Sequence, residues 1–171
     1  MMNRQHITHR LRYLRDWEFL NVFLLPACLA VVIASLELPT WLLYSYSLFL
    51  ICLVLAQGAL YWHLKLRTIR TATRPLPAYF HGVFTRFKRS NIIFIAGYPL
   101  LFGYALATQQ TQAGEPIWAT VFWLFAILEH INYYHYQLMH DTVNDMQYLL
   151  RNKRLRQSPI ATDLARTAGE A

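Results

Sequence analysis

Charged side chains are scarce in this 171-residue chain: Asp, Glu, Lys and Arg make up 15% of it, against about 25% in an ordinary soluble domain. With 56% of residues hydrophobic and 15% aromatic, that scarcity excludes a typical water-soluble surface. It points to a single-domain chain embedded in lipid. Cysteine is nearly absent. Cys28 and Cys52 both fall inside apolar runs, so they read as small buried residues, not as a disulfide or a metal pair. Several catalytic signatures are missing: there is no H-E-x-x-H, no Glu-x-x-His, no DDxxD pair and no nucleophile elbow. No nucleic-acid-binding module accompanies the net charge of +7, so no nucleic-acid partner is expected.

What the chain does have is four apolar segments, at about residues 17–36, 41–64, 91–107 and 117–138. Each is close to the ~20 residues that a helix needs to cross ~30 Å of hydrocarbon. The third is short and kink-prone, with Gly97, Pro99 and Gly103; neighbouring helices can support such residues in a membrane. The first opens on Glu18 and Asn21 and is followed by no A-x-A-like site, so it is expected to be a retained span and not a signal peptide.

The connections differ sharply in charge. The segments "ELPT" (37–40) and "TQQTQAGEP" (108–116) contain no Lys or Arg. All 16 basic residues lie elsewhere: four in residues 1–16, seven in 65–90 and five in 151–166. The positive-inside rule then places both termini and the middle loop in the cytoplasm. The expected fold is an all-α integral membrane protein, an antiparallel four-helix bundle in a bacterial inner membrane. Residues 1–16 form an amphipathic N-terminal segment, 17–64 the first transmembrane hairpin, 65–90 a basic loop, 91–138 the second hairpin, and 139–171 a helical extension with a basic tail.

Short interfacial helices are expected on the cytoplasmic side. Ile7, Leu11 and Leu14 share a stripe away from Arg10, Arg12 and Arg15, and Phe80, Phe84 and Phe87 recur at helical spacing. The basic stretches first serve topology. They would also attract anionic headgroups by ~1 kcal/mol per basic residue at the surface.

The fourth segment is unusual. "ILEHINYYHYQLMHDTVND" (127–145) carries a carboxylate and several polar rings at the end of an oily run. At 100° per residue, Glu129, Tyr133, Tyr136 and His140 share a face, bordered by Asn132 on one side and His130 on the other. His135 points elsewhere, towards lipid near the headgroups. Glu129 is twelve residues past Ile117, about 18 Å along a helix at ~1.5 Å per residue, and so still within the hydrocarbon. An unpaired charge there costs at least ~2.5 kcal/mol. Partners at similar depth are Gln57, Tyr61 and His63 on the second segment, Asn91 on the third, and Glu18 and Asn21 on the first. These residues define one polar pocket open to the cytoplasm.

Three readings of that pocket arise. Its groups can simply hydrogen-bond one another and pin the bundle. It can bind a small molecule or lipid headgroup, or act as an accessory or proton-linked transport site built on Glu129, as a homo-oligomer or with a membrane partner. Or His63, His130, His140 and Glu129 can ligate a metal or haem in a membrane enzyme. The ligand types suit the third reading, but their spacing does not. The segment "LEHINYYHYQL" (128–138) with its basic tail resembles small bacterial four-span proteins, some labelled general stress proteins. That resemblance covers only the fourth segment and tail, and implies no residue role. With no Pro or Gly before Pro159, the fourth helix is expected to continue to about Leu150.

Overall fold

A long apolar run in lipid must satisfy its backbone internally, and a helix does so. The structure is a computed structural model; it describes residues 4–36, 42–71, 76–108, 115–139 and 143–169. Among these, the regular elements are all helices: α1 (Arg4–Leu36), α2 (Leu42–Arg70), α3 (Phe80–Ala107), α4 (Glu115–Tyr134), α5 (Val143–Asn152) and α6 (Pro159–Ala168). Two of them, over Leu42–Ile69 and Phe80–Ala107, are long and apolar enough to cross a membrane.

The four long helices run up and down. Glu18 meets Trp62 while Val22 meets Cys52, so α1 and α2 are antiparallel. Tyr46 meets Phe94 and Gln57 meets Asn91, which makes α2 and α3 antiparallel. Tyr98 meets Thr120 and Asn91 meets His130, so α4 reverses again. This winding brings the basic ends of α1, α2 and α3 to one end of the bundle. α2 is central: 56% of its apolar window is buried, against 17% for α3.

Packing follows three layers. At the far end Leu43, Tyr44, Tyr98 and Ala119 cluster. Leu50, Ile51, Leu55 and Ala126 fill the middle. At the basic end Tyr61, Phe80, Phe84, Tyr134 and Ile160 close the core. Small residues at the crossings, Ala119 and Ala126, are fully buried and let the helices approach closely.

Pro26 in α1 and Pro99 in α3 sit deep in helix interiors. Each deprives the carbonyl four residues earlier of its helical donor. In both cases a neighbouring helix supplies a replacement. The Trp123 indole N–H donates to the Ile95 carbonyl at 3.0 Å, and the Cys52 thiol donates to the Val22 carbonyl at 3.6 Å. Trp123→Phe should therefore cost about 1 kcal/mol of bundle stability, read as a lower unfolding midpoint in detergent. An unchanged midpoint would show that the freed carbonyl needs no partner.

The structure differs from the sequence-based expectations in three places. The N-terminal amphipathic stretch is not a separate helix; it forms the first turns of α1, since nothing interrupts the chain there. The Phe80–Phe87 stretch likewise opens α3, and Phe80 and Phe84 are completely buried against Tyr61 instead of lying on a surface. Most importantly, α4 ends at Tyr134 and does not run on to Leu150. The stop is tertiary. Asn132 Oδ1 accepts the Leu138 N–H at 2.9 Å. Ser158 donates its hydroxyl to the Tyr133 carbonyl at 2.5 Å and its N–H to the His135 carbonyl at 3.1 Å. A returning strand-like pairing of Tyr136 with Gln157 completes the turn. Helix-end groups that continuation would have satisfied are taken by a segment more than twenty residues downstream.

Candidate functional site

Polar side chains in the basic half of the bundle form three groups. The first is an amide lock. Gln57 Nε2 donates to Asn91 Oδ1 at 2.9 Å, and Asn91 Nδ2 donates back to Gln57 Oε1 at 2.8 Å. The Tyr134 hydroxyl adds a bond to Gln57 Oε1 at 2.6 Å. All three side chains are buried. A reciprocal amide pair satisfies donors and acceptors with no net charge, so its burial is inexpensive and it fixes the register of α2 on α3. The second proton on Asn91 Nδ2 faces His130 Nδ1 at 3.4 Å, which places the ring proton on Nε2. That nitrogen is buried and meets no hydrogen-bond partner among the described residues. The His130 ring stacks on Tyr134 at 5.1 Å, and His135 stands edge-on to it at 5.6 Å.

The second group is an acidic corner between α1, α2 and α4. The Trp62 indole N–H donates to Glu18 Oε1 at 2.7 Å. Glu18 Oε2 is buried without a hydrogen bond of normal geometry, and the Tyr133 ring lies against it over Gly58. Glu129 is half-buried, and its carboxyl group comes within electrostatic reach of Glu18. Its bond from Asn132 Nδ2, at 3.5 Å, is at the limit of contact. This corner can accept a cation or a hydrogen-bond donor; the amide lock already satisfies itself.

The third group fastens α6 to α2. Asp163, 5% exposed, accepts the Tyr61 hydroxyl at 2.8 Å and the Lys65 ammonium at 2.5 Å.

The expected face on the fourth segment therefore splits. Glu129 and Tyr133 remain on α4, with Asn132 beside them. Tyr136 leaves the helix, is exposed, and lines a cleft with Tyr148 and Gln157; the early stop of α4 is the reason. His140 lies outside the described residues, as does Asp141. His135 is near His130, not turned away from it. Asn21 is half-buried on α1. His63 is exposed beside Arg15 and Asp16, whereas His130 is buried against Asn91, so the two imidazoles do not converge. No group of three or more His, Cys, Asp or Glu residues able to hold a metal occurs among the described residues, and the metal or haem reading has no ligand set there.

Sequence reasoning missed Tyr134, Trp62, Lys65, Asp163 and Ser158. A signal existed for the last two. Ser158 followed by Pro159 is an N-cap with proline at the first helical position, and the Ser158 side chain does accept the Ala161 N–H at 3.1 Å. Ile160 and Leu164 then recur at helical spacing with Asp163 on the same side.

No protein-family model, curated protein or solved structure matches this chain. The fold and site define its class: an all-helical bundle with two candidate membrane-spanning helices and a polar layer at its basic end.

The amide lock predicts strong coupling. Gln57→Leu and Asn91→Leu each strand a buried partner and should cost about 1–3 kcal/mol. The double variant should cost clearly less than their sum, because both halves of the pair are then removed. Unfolding of the four proteins in detergent checks this; additive losses would show that the two amides act independently.

Proposed function

We propose that the chain is a four-span integral membrane protein of a bacterial inner membrane, with both termini cytoplasmic. It works as a lipid- or small-molecule-binding or accessory subunit. One observation carries the reading. Large apolar side chains stand exposed on all four long helices, among them Phe23 on α1, Phe49 on α2, Leu100 on α3 and Ile117 on α4, while Gln57, Asn91 and His130 are buried inside. Water-soluble monomers rarely expose contiguous apolar patches larger than a few hundred Å². A bilayer accepts such a surface, and a second copy or a membrane partner can cover part of it. The confinement of Lys and Arg to residues 1–16, 65–90 and 151–166 supports the orientation. The acidic corner supports binding over pure scaffolding, since a scaffold gains nothing from a second carboxyl group beside Glu18.

Alkaline carbonate washing of membranes from expressing cells tests the reading. The chain should stay in the pellet and need detergent for release. Recovery as a detergent-free soluble monomer would overturn it.

A further inference from the structure

A lateral groove of about 520 Å³ opens between α1 and α2 at the basic end of the bundle. Phe19, Val22 and Ala56 form its apolar length, and Arg15, Asp16 and His63 its polar mouth. Two small residues line the slot, Ala56 and Ala59; Ala56 is exposed in it, so a larger side chain there would fill the space.

The mouth has an unusual balance of charge. Arg15 Nε and Nη2 both donate to Asp16 Oδ1, at 2.8 and 2.6 Å. The Arg15 side chain is 27% exposed and that of Asp16 55%, so each can still meet an incoming group. Across the groove His63 adds an exposed imidazole. One cation, one anion and a hydrogen-bonding ring thus stand above an apolar slot. A purely anionic headgroup would be repelled by Asp16. A headgroup with a phosphate and an ammonium satisfies both signs: phosphate on Arg15 and His63, ammonium on Asp16.

We propose that this groove binds a single phospholipid with a phosphoethanolamine headgroup, its acyl chain lying along Phe19, Val22 and Ala56. The inference rests on the four-span reading. In that reading Arg15, Asp16 and His63 flank the cytoplasmic ends of the first two apolar segments, at headgroup height. Acyl chains occupy any slot that faces the bilayer, so selectivity comes from the mouth.

Native mass spectrometry of the full chain tests it, with the detergent-solubilised protein exposed to an equimolar mixture of phosphatidylethanolamine and phosphatidylglycerol of matched chains. The wild type should retain one phosphatidylethanolamine, favoured about fivefold, as an exposed ion pair allows. Asp16→Asn should abolish or reverse that preference. Ala56→Leu should lose the bound lipid while its unfolding midpoint stays near that of the wild type. Equal retention of the two lipids by the wild type, or an unchanged adduct in Ala56→Leu, would overturn the proposal. A chain that resists carbonate but shows no headgroup preference defeats only the groove; a chain released by carbonate defeats the membrane reading itself.

Discussion

Asp163→Ala should destabilise the bundle by about 2–4 kcal/mol and release α6. The reason is the asymmetry of a buried ion pair. Asp163 is 5% exposed and bonds both Tyr61 and Lys65. Removing one partner of a fully buried pair costs about 3–5 kcal/mol. Here the loss is smaller, because the Lys65 side chain is 31% exposed and its ammonium can turn to water. The Tyr61 hydroxyl cannot: Tyr61 is completely buried and would be left without its acceptor, at about 1–3 kcal/mol. Arg166 lies 4.0 Å from Asp163 and is mostly exposed, so it adds little. Asp163→Asn keeps an acceptor for Tyr61 and should lose distinctly less. The variants are compared by unfolding in detergent and by limited proteolysis, in which the alanine variant should be cut faster between residues 150 and 170. Wild-type stability and wild-type cleavage in Asp163→Ala would mean that α6 is held by the packing of Ile160 and Leu164 and the Ser158 bonds, without the ion pair.

Gly58→Leu should cost about 3 kcal/mol, the upper end of the usual overpacking range. Even a Cβ at this position would overlap Glu18 Oε2 and fall 2.6 Å from Tyr133 Cζ. The Glu18 carboxyl can swing away at the loss of its bond from Trp62. The Tyr133 ring, 7% exposed and packed in the core, has no comparable freedom, so α4 must shift from α2. Gly58→Ala should lose less, because it inserts a single methyl group where leucine inserts four carbons, while gaining about 1 kcal/mol of helix propensity over glycine. Gly82 provides the control. A Cβ there meets nothing within 4 Å, so Gly82→Ala should gain up to about 1 kcal/mol. If Gly58→Leu unfolds like the wild type, α1, α2 and α4 leave room for a large side chain at this layer.

The long helices could be read from the sequence because apolar runs of about twenty residues have few other folded outcomes. Segment ends were less legible. The stop of α4 at Tyr134 leaves no local mark: its causes are the Asn132 side chain, which could equally point outward from a continuing helix, and Ser158, which only tertiary folding brings near. The same limit applies to the polar layer. Depth along each helix brought Gln57, Asn91 and His130 to one level, but which groups touch depends on the rotation of each helix. That rotation sets Tyr134, not Glu129, beside Gln57, and leaves Glu129 at the edge beside Glu18. In sequence, residues 159–168 read as part of a basic tail because arginines dominate the approach to them, although the Ser158–Pro159 pair marks a helix start.

Reactivity of cysteines on the short connections tests the four-span account most directly. In a Cys28→Ala, Cys52→Ser background, which keeps a donor for the Val22 carbonyl, Thr40→Cys, Thr71→Cys and Gln112→Cys are introduced singly. A membrane-impermeant maleimide added to intact spheroplasts should label positions 40 and 112, and should reach position 71 only after the membrane is opened. A Gln112→Cys that stays unreactive until lysis would contradict the account, because α3 and α4 would then not cross the bilayer.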